Sequence, residues 1–431
     1  MEERKRSVYL RFLYALTLSG LLLLGTAVYA SWWKRVPDHI RLRQGAVQNL
    51  EFGVPASGQI YAEKEKTQSV NAAGGAVTGK RQDVFLDSTV TFVAGESLSP
   101  YVMKLKLFGI LPFKEVNIQV IPDEMIIPAG LPVGIYVRTN GVLVLDTGEF
   151  TGTSGQIEKP SVGILRSGDY ILETDGRWIE GKKEFMETVE SSNGEEMTLT
   201  IQRGEDIFDV RVEPKQTQSG EYKIGVWIRE NAQGVGTLTY VKGDGSFGAL
   251  GHGINDIDTS TLMNVESGSL YETEIIGIRK GENGVPGEVT GIIDYSPERK
   301  IGSIAENTVK GVFGSVDERF LQQAKEAPVR IGLKQEIHTG EAEIICSVTG
   351  RPEHYTVQIE EVHLEKEDVN RGIVLQVTDP KLLRLTGGIV QGMSGSPILQ
   401  NGRIVGAVTH VFVNDPAKGY GIFIENMLEH D

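Results

Sequence analysis

Gly388-Ile389-Val390-Gln391-Gly392-Met393-Ser394-Gly395-Ser396-Pro397-Ile398-Leu399 is the most informative stretch of this chain, and Asn401-Gly402-Arg403-Ile404-Val405-Gly406-Ala407-Val408 follows it. The run reads as a glycine-rich turn, a strand, a tight turn and a second apolar strand. The glycines allow a sharp backbone turn that presents the Ser394 hydroxyl and lets the N–H groups of Gly392 and Ser394 converge on one point. Two donors so placed stabilise the oxyanion that forms when an acyl carbon is attacked. A serine hydroxyl is a weak nucleophile and needs a base within hydrogen-bond reach.

The G-x-S-G-x-P string resembles the nucleophile loop of chymotrypsin-like serine peptidases. The chain has only seven histidines, so the base is sought by elimination. His39 follows the apolar N-terminus, His430 is next to last, and His354 and His363 lie in charged stretches. His338 reads as a strand end running into a solvated turn. His410 falls on the strand after the nucleophile loop, where such peptidases line their substrate pocket. His252, in Ala249-Leu250-Gly251-His252-Gly253, is the best general base, since its small neighbours admit a substrate and it precedes the serine in the chain. A carboxylate is then expected to accept the Nδ1 proton of the base. Spacing leaves Asp256, Asp258, Asp294 and Asp379 open for that role.

The rest of the composition narrows the context. The 431 residues suggest two or three domains. Lys and Arg number 43 against 58 Asp and Glu, a net charge of −15 that sets nucleic acid aside as a partner. Fifty-two glycines favour a turn-rich β protein. The single Cys346 excludes an intrachain disulfide and a cysteine zinc cluster, and no His/Asp/Glu group has metal-ligand spacing. Neither metal nor cofactor is expected.

Arg4, Lys5, Arg6 and Arg11 precede a run from Phe12 to Trp33 with no charge, 22 positions that suffice to span a hydrocarbon core of about 30 Å. Trp32 and Trp33 suit the membrane interface, and the basic flank predicts that the N-terminus stays inside. A cleaved signal peptide is the rival, with Val28-Tyr29-Ala30 as its site, but the core is long for one. Everything after Trp33 is expected outside the cytoplasm. Tyr101–Leu107 and Val116–Val120 alternate apolar and polar residues and predict two strands joined by a turn.

Between Met125 and Glu213 the run Gly163-Ile164-Leu165-Arg166-Ser167-Gly168-Asp169-Tyr170-Ile171-Leu172, then Asp175-Gly176, resembles a PDZ domain. The resemblance implies that the loop Pro132-Val133-Gly134-Ile135 turns its N–H groups toward a peptide carboxylate, with the peptide adding to a sheet edge. Val133, Gly134 and Ile135 are the expected peptide-binding residues.

The whole chain resembles the stage IV sporulation protein B (SpoIVB) peptidases of endospore-forming bacteria, through its N-terminal anchor, PDZ run, His252 segment, Thr378-Asp379-Pro380 and Gly392–Pro397. The resemblance implies a triad of His252, Asp379 and Ser394, with Asp379 only 15 positions before the nucleophile. The expected fold is mainly β. A basic tail and transmembrane helix occupy 1–35, a β-rich exported region 36–124, the PDZ domain 125–214 and a double-barrel peptidase 222–431. The resemblance further implies cleavage of a membrane-bound regulator of the protease that processes a sigma-factor precursor, in the space between forespore and mother-cell membranes, together with self-cleavage. The PDZ ligand would be a peptide or protein, with the chain's own N-terminal region one candidate. The rival from another class is a membrane-anchored PDZ scaffold whose barrel is catalytically idle.

Overall fold

The computed structural model describes residues 2–62, 71–72, 82–95, 98, 100–321, 326–364 and 368–429; His430 lies outside them. The chain divides into two compact units, residues 1–124 with 333–338, and residues 125–332 with 339–431.

In the first unit the charge-free N-terminal run lies in a helix, α1 (Glu2–Arg35), long and apolar enough to cross a membrane. A five-stranded sheet follows, built from β1 (His39–Arg43), β2 (Ala56–Ala62), β3 (Gln82–Phe85), β4 (Tyr101–Leu107) and β5 (Leu111–Ile121), in the spatial order β1-β5-β4-β2-β3. The alternation read in β4 has its physical cause in the core. Tyr101, Met103, Leu105 and Leu107 point inward while Lys104 and Lys106 face water. A smaller sheet of Val47–Glu51, Thr89–Val93 and Asn71–Ala72 shares that core through Leu50, Val90 and Phe92. The returning segment Leu333–His338 belongs to this unit and brings Glu336 to Arg43, whose Nη1 donates to Oε1 at 2.8 Å.

The second unit opens with a 23-residue strand, β6 (Met125–Thr147). Next come β7 (Tyr170–Thr174), the helix α2 (Lys182–Ser191), β8 (Met197–Arg203), β9 (Asp206–Val212) and β10 (Val226–Val241). β6 and β10 form one antiparallel ribbon, paired from Val226–Thr147 at one end to Val241–Ile127 at the other. Its inner half belongs to a barrel. β11 (Ser246–Ala249), β12 (Val265–Arg279), β13 (Glu288–Ile293), β14 (Lys300–Thr308) and β15 (Gly311–Val316) follow in sequence, and the pairings β6-β10-β11-β15-β14-β12 return to β6 and close a six-stranded ring. Val133, Ile135, Leu238, Phe247, Leu270 and Val312 fill it.

The outer half of the ribbon carries the PDZ domain, a sheet in the order β9-β8-β7-β6-β10 with α2 packed on it. Phe185 and Val189, one helical turn apart, bury against Val142, Ile171 and Leu199. Asp169 of the PDZ run is buried, where it accepts from Arg203 Nε at 2.7 Å and from the Arg166 N–H at 2.8 Å. β6 passes from barrel to PDZ domain at Gly141, at φ 70°, where a Cβ would stand 2.2 Å from the Ile171 carbonyl oxygen.

The domain boundaries therefore differ from the linear expectation. Residues from Met125 to Arg138 are barrel, not PDZ, and Val226–Arg229 are PDZ sheet, because the PDZ domain is spliced between the first two barrel strands. A second closed barrel follows, β16 (Gly340–Cys346), β17 (Glu353–Val362), β18 (Ile373–Val377), β19 (Pro397–Gln400), β20 (Arg403–Phe412) and β21 (Asp415–Phe423), in the order β16-β17-β18-β21-β20-β19. The fold is mainly β, with a PDZ domain and the two six-stranded barrels of a chymotrypsin-like peptidase.

Phe185 is nearly inaccessible in a small core. Phe185→Ala is expected to destabilise the PDZ domain by about 3–5 kcal/mol, read as a lowered unfolding midpoint for that domain while the second barrel keeps its own.

Candidate active site

Two turns from different barrels meet at one cleft of about 570 Å³, lined among others by His252, Gln391, Gly392, Ser394, Thr409 and His410. The first turn follows β11. Leu250 and Gly251 both hold left-handed backbone, φ 68° and 70°, a conformation rare for a leucine, and this reversal delivers His252 to the cleft. Its Nδ1 lies 2.8 Å from the Gly253 carbonyl oxygen. A carbonyl only accepts, so Nδ1 carries the proton and Nε2 keeps its lone pair. That is the tautomer a general base needs.

The second turn is the nucleophile loop. Thr237 of β10 clamps it, its N–H donating to Ser394 O at 3.1 Å and its Oγ1 to Gly392 O at 2.7 Å. Gly395 sits at φ 96°, and a Cβ there would lie 2.2 Å from Thr237 O. Glycine is thus required where the two barrels touch. The N–H groups of Gly392 and Ser394, the expected oxyanion donors, have no partner among the described residues. The neighbouring Met393 and Gly395 donate to Val390 O and Val408 O. Ser396 is fully buried, which leaves Ser394 as the serine open to a substrate.

The Ser394 hydroxyl donates to Thr409 O at 2.7 Å. The nucleophile is thus parked on a backbone carbonyl, and a rotation about its Cα–Cβ bond would present it to His252. The register of β20 against β21 shifts between Val408 and Val411. Such a bulge re-aims side chains beside active sites, and here it brings the His410 ring 5.1 Å from that of His252, centre to centre. Among the described residues, His252 and His410 are the only ionisable side chains lining the cleft. Burial pushes the pKa of His252 down, against the bond to Gly253 O. Burial, then the His252 charge, then Arg371 push that of His410 down to about 4, with Asp368 opposing.

Residues 220–428 match the family described as SpoIVB peptidase S55. The chain is a serine endopeptidase whose residues 220–428 are similar to that family. No curated protein matches it. Among solved structures, the PDZ domain of the SdrC-like protein from Listeria monocytogenes is 21% identical, covering 21% of this chain and 87% of that one, at a TM-score of 0.18. The active form of the Rv3671c protease from M. tuberculosis is 13% identical over 46% of this chain and 72% of that one, at 0.26. The HtrA-type protease AlgW with decapeptide is 11% identical over 70% and 63%, at 0.29.

Two expected site assignments of this peptidase need correction. Asp379 does not line the cleft. Pro380 opens a helix, α3 (Pro380–Thr386), and Asp379 is its N-cap, with Oδ1 accepting from the Lys381 and Leu382 N–H groups at 2.8 and 2.9 Å. The proline does hold Asp379 extended, at φ −64° and ψ 118°, but for capping. The other candidates are occupied as well. Asp256 pairs with Arg229 and accepts from the N–H groups of its own turn, Asp258 pairs with the same arginine, and Asp294 accepts from Ser296. Among the described residues no side chain hydrogen-bonds the His252 ring, and a backbone carbonyl holds the Nδ1 proton in place of a carboxylate.

The second correction concerns Val133, Gly134 and Ile135. They form no loop but sit mid-strand in β6, paired with Gly234–Gly236 on one side and Leu270–Glu272 on the other. Their N–H and C=O groups serve the barrel, so a peptide has no edge to join there. The open edge of the PDZ sheet is Val226–Arg229 of β10, paired on one side with β6 and lacking a strand on the other among the described residues. The N-terminus of α2 stands beside this edge, where the Lys182 N–H donates to Glu230 Oε2 at 2.6 Å. Ile224-Gly225-Val226 enters that edge, and it repeats the apolar-glycine-apolar pattern of Val133-Gly134-Ile135. That pattern was the available signal.

Two outcomes follow for this peptidase. Asn is as good an N-cap as Asp, so Asp379→Asn should retain turnover within about tenfold. A loss near 10⁴, the cost expected of a triad acid, would show that the carboxylate reaches His252 in another conformation. The base works as neutral imidazole, and burial disfavours its charged form. The acid limb of kcat/KM should therefore fall below the ordinary histidine value of about 6.5, as measured on a short unanchored peptide.

Proposed function

We propose that this peptidase is a membrane-anchored sporulation signalling enzyme, cleaving a membrane-bound regulator of the protease that processes a sigma-factor precursor, and cleaving itself. The observation that supports the reading most is the meeting of His252 and Ser394 in one cleft, with the Gly392 and Ser394 N–H groups unpartnered among the described residues, inside the stretch similar to S55 peptidases. In the proposed reaction Ser394 leaves Thr409 O, gives its proton to His252 Nε2 and attacks the scissile carbonyl. The oxyanion takes the two free N–H groups, and the imidazolium returns its proton to the leaving amine. α1 serves as the anchor, with the catalytic cleft in the space between forespore and mother-cell membranes. The open edge at Val226–Arg229 selects the protein target or the chain's own N-terminal region by strand addition.

The parked hydroxyl of Ser394 is the observation that favours the second reading, an anchored PDZ scaffold with an idle barrel. A fluorophosphonate probe separates the two. Labelling of the intact protein, lost in Ser394→Ala and at least 10³-fold slower in His252→Ala, is expected for the enzyme; an unlabelled, folded protein would leave the scaffold. Terminal sequencing of products formed with the regulator then tests the substrate assignment.

A further inference from the structure

The turn between β4 and β5 reads Leu107-Phe108-Gly109-Ile110-Leu111-Pro112-Phe113, with no charged residue. Phe108, Ile110 and Leu111 are 62%, 77% and 58% exposed. Phe108 holds φ 53°, left-handed backbone that an aromatic residue rarely adopts. The turn is pinned from both flanks, since the Phe108 N–H donates to Pro55 O at 2.8 Å and the Ile110 N–H to Leu107 O at 3.0 Å. A rigid tip therefore displays three large apolar side chains to the surroundings.

The place of that tip gives it a partner. Phe113 meets the rings of both Tyr29 and Trp33, at 5.7 and 5.6 Å, and Phe108 meets Trp32 at 5.9 Å. Tyr29 and Trp33 are one helical turn apart, about 6 Å along the axis. The hairpin thus lies along the last turn of α1. Lys114 locks it there, its Nζ donating to Val36 O at 2.6 Å, pairing with Asp38 at 2.8 Å and standing 4.9 Å over the Trp33 ring. Tryptophan and tyrosine at the end of a spanning helix mark the headgroup level.

We propose that the β4–β5 hairpin tip is a second membrane contact, with Phe108, Ile110 and Leu111 entering the headgroup and acyl boundary of the bilayer that α1 spans. The inference rests on the reading of α1 as an anchor. Two fixed points, where a helix alone would leave a swivel, set the tilt of the first unit against the lipid surface.

The full chain in vesicles of phosphatidylethanolamine and phosphatidylglycerol tests this. Ile110→Cys carries an environment-sensitive fluorophore; the native Cys346 is buried, and the unsubstituted chain sets the background. Val47→Cys is the control. It lies beyond the Ile121 end of β5, where the Gln44 N–H donates to Ile121 O, about 30 Å along the strand from the tip. A blue shift at position 110 and at least twofold quenching by spin-labelled lipid, absent at 47, are expected. Leu111→Cys should behave like Ile110→Cys and covers the case in which one variant folds poorly. Equal, water-like signals at 110 and 47 in a chain that resists alkaline carbonate extraction would overturn the second contact alone. A chain released by carbonate would overturn the anchor, and the proposal with it.

Discussion

Thr237 holds the active site together. Its N–H and hydroxyl bind the carbonyls of Ser394 and Gly392, and its own carbonyl accepts the Leu250 N–H at 3.2 Å, just before the turn that carries His252. One residue of the first barrel therefore fixes the nucleophile loop of the second barrel and the base turn of its own. Each bond is worth about 1 kcal/mol in net stability. Their larger effect is geometric, since proton transfer from Ser394 to His252 demands contact at hydrogen-bond range across two separately folded barrels. The tight approach of Gly395 to Thr237 leaves the loop no slack.

The resting state shows how such a site stays quiet. The Ser394 hydroxyl donates a hydrogen bond to Thr409 O, and His252 has its tautomer set by a backbone carbonyl. Reactivity then depends on a side-chain rotation at a prepared site. His410, held over the base by the bulge in β20, is neutral at ordinary pH and adds a polarisable face beside the imidazole without a competing charge. A buried carboxylate would stabilise the imidazolium more strongly, so a base held by a carbonyl alone gains less from charging in the transition state.

The sequence disclosed the parts whose chemistry is local. The G-x-S-G-x-P string, the basic flank before an uncharged run and the alternation of β4 all carry their cause within one contiguous stretch of sequence. Two features eluded it. Asp before Pro suits both a triad acid and a helix N-cap, and only the positions of the Lys381 and Leu382 N–H groups decide between them. The closing of the first barrel by Met125–Arg138 pairs segments roughly a hundred residues apart, with a whole domain between. The same splice moved the peptide edge from Val133–Ile135 to Val226–Arg229. An apolar-glycine-apolar step occurs at both places, and linear order favoured the earlier one.

The shared ribbon also limits how this chain can change in length. Val226 and Ile228 pack on the core that holds Phe185 and Val189 of the PDZ helix, and Gly234 and Val235 of the same strand line the cleft. Side chains alternate along a strand, so adding or losing one residue between these segments would turn every later side chain to the opposite face. The register breaks at Trp227–Ile228 and Arg229–Asn231 are the places where an odd residue can be absorbed. Relatives with longer or shorter ribbons should therefore differ by even numbers, or carry their odd residue at those two breaks.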